Sequence, residues 1–165
     1  MNLQELKLAT MQNNWEDPQM VQWCQYLLDS YAHWVKQELV DRNGTPLEQA
    51  ERLFNSPFVV ASHGAEDDPI LNYGNQTALN LWGMDWQQFT QTPSRLTAEP
   101  VTREERARML EQAKTQGYIA DYRGVRISST GTRFLVDQAV IWNIHKPAGT
   151  AIGQSATFAA WKYLS

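Results

Sequence analysis

Apolar residues recur at three- and four-residue steps between residues 18 and 39. Met20, Trp23, Cys24, Leu27, Leu28, Tyr31, Trp34 and Val35 make a broad stripe with the period of an amphipathic helix. Asp17 is placed to cap its start, and Pro18 takes the first helical position, where a missing N–H costs nothing. Asn43-Gly44 is expected to end the helix. Thr45-Pro46-Leu47-Glu48 has the layout of a capping box, opening a second helix that runs to about Phe54 before Ser56-Pro57 breaks it. Residues 1–56 are therefore expected to form an amphipathic helical arm.

Beyond Pro57 the period shortens. Phe58 to His63 is a β-rich run, Gly64 to Pro69 a polar turn, and Ile70 to Gly74 a second short strand. Asn75 is a good cap for a short helix, Gln76 to Trp82, that Gly83 stops. Asp85 opens another helical turn, and Thr102-Arg103-Glu104-Glu105 starts a longer helix ending at Gly117. The last 48 residues read as three strands, Tyr118 to Ser129, Arg133 to Ile144 and Ala151 to Tyr163, joined by short turns. Short connections make these an antiparallel meander, so the fold class is α+β.

Charge sharpens this division. Residues 1–56 carry 8 acidic and 4 basic side chains and residues 57–165 carry 10 of each, so the formal charge of −4 belongs to the arm. A mildly acidic chain without a basic stripe is a poor nucleic-acid binder. No apolar run approaches the roughly 18 residues of a membrane span, and Met1 to Lys7 lacks the layout of a secretory signal. A cytoplasmic protein with no membrane contact is expected. Cys24 has no partner for a disulfide. Seven Trp, six Tyr and five Phe imply either a ring-rich core or a cavity walled by rings.

The order of elements resembles the PAS fold, and residues 57–161 resemble the MEKHLA domain family, a PAS-related module of cyanobacterial and plant proteins. The resemblance rests on Asn75 to Trp86, Pro93 to Pro100, Arg103 to Arg106, Arg126 to Gly131 and Gly153 to Phe158. It implies a five-stranded antiparallel sheet with short helices on one face, in a domain spanning residues 57–165. It also implies sensing or partner binding without catalysis, with a small metabolite or a protein as partner and pairing of two copies through the N-terminal helices. Haem-binding relatives offer a His from the long helix and flavin photosensors a Cys within the motif. Residues 102–117 hold no His and no Cys follows residue 24, so no cofactor is expected.

The chemistry-bearing residues fit that expectation. His33, His63 and His145 are scattered, so no metal site is expected; His63 beside Glu66, Asp67 and Asp68 reads as a solvated turn. Seven arginines lie between Arg95 and Arg133, most of them expected in surface ion pairs with nearby acids. One whose fork entered a cavity would select a carboxylate or phosphate. Strict alternation puts Tyr122 and Arg126 on one face, and Phe134, Val136, Gln138, Val140 and Trp142 on one face of the next strand. The expected ligand pocket is thus Trp82, Tyr122, Arg126, Gln138 and Trp142, with Arg126 as anion clamp and Trp82, Tyr122 and Trp142 as ring walls. Two alternatives remain open: an NTF2-like α+β barrel enzyme with Asp121 or Asp137 as general base, and a structural dimerisation module with a filled core. Strand order separates the first of these from a PAS sheet, whose first strand lies beside its last at the centre.

Overall fold

Helix α1 (Pro18–Val35) forms where the apolar stripe places it, with the Asp17 carboxylate accepting from the Gln19 N–H at 2.8 Å. The computed structural model to which it belongs describes residues 13–100 and 103–164. The helix stops earlier than Asn43-Gly44. Lys36 adopts φ 66° and donates its N–H to Ala32 O, because Lys36-Gln37-Glu38 offers nothing to bury. Helix α2 (Pro46–Phe54) opens with the expected capping box between Thr45 and Glu48.

Strands β1 (Val59–Gly64) and β2 (Leu71–Gly74) follow, then α3 (Gln76–Trp82) and α4 (Trp86–Phe89), a 3-10 turn at Ser94–Thr97, and α5 (Arg103–Gln116). The Thr102 cap proposed for α5 lies outside the described residues. The chain ends in β3 (Tyr118–Ile127), β4 (Arg133–His145), β5 (Ala151–Phe158) and β6 (Ala160–Tyr163). The antiparallel sheet has the order β2-β1-β5-β4-β3. β6 continues the line of β5 past a bend at Ala159 and pairs with β4, so the expected last strand is one path in two pieces. The first strand lies beside the last at the sheet's centre, the PAS arrangement, which removes the NTF2-like alternative.

Asn75 shows how a cap sets the tertiary fold. Its fully buried carboxamide oxygen accepts from Ala78 N to start α3 and from Val60 N of β1, both at 3.1 Å, while its nitrogen donates to Phe58 O at 2.8 Å.

The two faces of the sheet are covered differently. On the outer face α1 buries Cys24, Leu27, Leu28 and Tyr31. There Trp142 donates its indole N–H to Leu27 O at 3.1 Å and meets Tyr31 edge-on at 4.9 Å, and Trp23 donates to Ser62 Oγ at 2.9 Å. Most of the arm's stripe is thus used within this chain. Helices α3 and α5 lie on the inner face. Asn143 of β4 serves both layers: its backbone carbonyl accepts from Trp34 Nε1 of α1 at 2.9 Å, and its Nδ2 donates to Ala113 O of α5 at 3.1 Å.

One irregularity decides which side chains face inward. The β3–β4 register is the same on both sides of a break where Tyr122 pairs with Ala139. At the break Asp121 has φ 58° and Gln138 φ 55°, and both side chains are exposed. This paired bulge reverses the alternation in both strands. Phe134 and Val136 therefore share the inner face with Ala139 and Ile141, and Trp142 turns to the outer one.

Candidate functional site

The inner face encloses a cavity of about 90 Å³. Trp82 of α3 reaches it from above, with its ring edge-on to Phe89, Phe134 and Phe158 at 5.5–6.1 Å between centroids. These rings pack together between the sheet and the helices, and Trp82, Phe89 and Phe158 line the cavity beside them. Ala61 and His63 of β1, Gln154 and Ala156 of β5, and Val136, Ala139 and Ile141 of β4 supply the floor. Ser94 and Thr97 line the wall.

Tyr122 and Arg126 close the β3 side. The Tyr122 hydroxyl rests against Gly124, where any Cβ would collide with it, so the sequence Tyr122-x-Gly124-x-Arg126 leaves room for the ring to lie along the strand. Arg126 then folds back over that ring, its guanidinium carbon 5.5 Å from the centroid. Among the described residues this half-buried guanidinium has no ion pair and no hydrogen bond. Burial pulls its proton affinity below the ordinary guanidinium value, with the Tyr122 oxygen acting in the opposite sense.

Three of the five expected pocket residues, Trp82, Tyr122 and Arg126, come together here. The other two do not. Gln138 stands exposed at the bulge and Trp142 is fully buried beneath α1 on the other face, because the left-handed residue at Gln138 shifts the strand's phase by one. Gln154 takes the polar place expected of Gln138, its amide held by Asn143 Oδ1 at 3.2 Å. Sequence alternation along the last strand, with Gln154, Ala156 and Phe158 in step, was the signal that could have found it.

The remaining candidates are accounted for by structural roles. Arg95 pairs with Asp68 at 3.2 Å and Arg133 with Glu99, as expected of surface arginines, while the side chains of Arg103 and Arg106 lie outside what is described. Asp121 and Asp137 point away from the cavity into solvent. His63 donates Nδ1–H to Gly64 O at 2.7 Å, which leaves Nε2 as the acceptor of the neutral ring. Glu66 accepts from Ile70 N, and that backbone contact holds its carboxyl below the usual carboxylate range. Among the described residues no three ligand-type side chains converge on a metal site. His33, Trp34 and His145 meet edge-on at 4.5–5.3 Å, and Ser30 bonds the backbone of His145, so these residues dock α1 onto the β4–β5 hairpin.

Similar solved structures share this architecture. The PAS domain of a protein from Colwellia psychrerythraea superposes with a TM-score of 0.58 at 12% identity, covering 71% of this chain and 94% of that one. A light-oxygen-voltage domain studied with a flavin analogue gives 0.54 at 13% identity, covering 72% and 85%. An RNA-binding light-oxygen-voltage receptor gives 0.58 at 16% identity; the match covers 73% of this chain but a third, 33%, of the receptor. At these identities the likeness shows the fold. No curated protein matches the chain. The profile of the MEKHLA domain matches residues 21–163, taking in α1 and α2 as well as the sheet. With a PAS sheet, a helix-covered outer face and a profile match over most of its length, this chain belongs to the MEKHLA domain family.

Proposed function

We propose that this chain is a PAS-type signalling sensor that binds a small anionic metabolite in its inner cavity, without catalysis, and passes the change to a protein partner. The carrying observation is Arg126: a guanidinium drawn out of bulk water without a countercharge among the described residues, at the wall of a cavity that also presents His63, Thr97 and Gln154. A cation left this way is costly, and a carboxylate or phosphate that takes the fork bidentately relieves that cost. Two exposed acids and a lone imidazole make no nucleophile–base pair among the described residues, which supports a binding role over an enzymatic one.

A flavin does not fit this chain. Ligand pockets typically hold about 300–1,000 Å³. Here the cavity is about 90 Å³, and Cys24, the single cysteine, sits on α1 across the sheet. The chain's charge of −4, carried by the arm, likewise argues against a nucleic-acid partner.

The test is isothermal titration of the purified protein with butyrate and with inorganic phosphate, on the wild type and on Arg126→Gln. Saturable binding that disappears in Arg126→Gln is the expected result. Absence of binding by both probes, or binding that survives the substitution, overturns the reading in favour of a filled interaction module.

A further inference from the structure

Arg126 lines two spaces at once. The inner cavity shares Ser94, Tyr122, Arg126, Ile141 and Gln154 with a groove of about 280 Å³ that runs out beneath α5. Together the two spaces reach the roughly 300 Å³ at which ligand pockets begin. Beyond Arg126 the groove's character changes. Its walls are Met109, Leu110 and Ala113 of α5 facing Ile119 of β3, with Pro100 at the mouth. Leu110 is 59% exposed, apolar surface on the groove wall that a bound alkyl chain would cover. Met109 brings an unbranched, adaptable side chain to the same wall. The charged groups at the outer rim are already matched, Glu99 to Arg133 and Arg95 to Asp68. The one unmatched charge among those groove-lining side chains is therefore cationic and sits at the inner end.

We infer that the ligand is a straight-chain amphiphilic carboxylate, with its head on Arg126 and its alkyl tail in the groove between α5 and β3. This inference rests on the anion-binding reading and adds the tail. The inner cavity is too small for the chain, so the tail points outward under α5. A ligand in that pose touches α5 along Met109, Leu110 and Ala113, and filling the groove is then reported at the surface by the helix that roofs it.

Calorimetric titration with the saturated carboxylates from butyrate to decanoate separates the two levels. Each buried methylene should tighten binding about fourfold until the groove is full. Leu110→Glu, at an exposed position that leaves the core intact, should abolish this chain-length dependence while butyrate binds as to wild type. Arg126→Gln should weaken every member of the series. If butyrate and decanoate bind equally and Leu110→Glu changes nothing, the tail site is wrong and the anion site stands. If no member of the series and no phosphate binds, both are wrong. A chain-length dependence that persists in Leu110→Glu also overturns the groove assignment.

Discussion

Asp121 and Gln138 stand at the same interruption of the β3–β4 ladder, both in left-handed conformation, with φ 58° and 55°. A single bulge lengthens one strand against its partner; two opposed ones leave the register intact on both sides and reverse only the facing of side chains. The inner cavity exists in its present form because of this pair.

Left-handed backbone costs a side-chain-bearing residue roughly 1–2 kcal/mol, more for β-branched ones. Gln138→Val is therefore expected to lower stability by about 1–2 kcal/mol, although the residue is exposed and makes no core contact. Gln138→Gly should raise it slightly, since relief of strain exceeds the added chain entropy. Urea denaturation of the two variants, with opposite signs, checks the account.

Trp142 should behave as a core residue and not as a ligand wall. Trp142→Ala is expected to cost about 3–5 kcal/mol. Any folded Trp142→Phe protein should bind carboxylates as wild type does, because the ring lies under Leu27 and Tyr31 on the far side of the sheet. Titration of that variant is the measurement.

Arg126 should be a liability in the empty protein. Replacing it by Met keeps the stem and removes a half-buried charge that has no counterion among the described residues. Arg126→Met is expected to be more stable than wild type by about 1–2 kcal/mol without ligand. It should gain nothing from added carboxylate, as read by thermal unfolding with and without butyrate.

Alkaline pH should unfold the protein through Cys24 and Tyr73. Burial lifts the Cys24 thiol from 9.0 to about 12, with a hydrogen bond to Tyr73 opposing. Burial also raises the Tyr73 hydroxyl, which sits beside that thiol and, among the described residues, has no oxygen or nitrogen partner. The folded protein thus holds protons that the unfolded chain gives up. Stability is complete below about pH 9 and falls as pH rises toward about 12, by up to about 4 kcal/mol from the thiol alone. Cys24→Ala should flatten this decline in denaturation curves taken between those values, and native Cys24 should resist alkylation at neutral pH.

Much of the fold could be read from the sequence because its signals are local. The Asp17 and Asn75 caps, the Thr45–Glu48 box and the turn prolines act within a few residues of themselves. Trp82, Tyr122 and Arg126 were accessible through alternation and a family pattern. Gln138 and Trp142 were misplaced because a left-handed Gln carries no compositional mark of the kind Gly or Asn supplies, and one such residue reverses every facing after it. The early end of α1 at Lys36 was hidden for a different reason: Leu39 and Val40 continue the apolar count while folding back separately onto the core. The fate of the arm's stripe depends on strands as far as 109 residues away in sequence, at Asn143, which no local pattern encodes.

The double role of Asn143 has a mechanical corollary. Its carbonyl fixes the end of α1, its amide nitrogen fixes α5, and its amide oxygen holds Gln154 at the cavity floor. The sheet is therefore no insulator between its two coverings. Roof helix, floor and outer clamp share one pivot, and a displacement of any of them strains the hydrogen bonds of the other two.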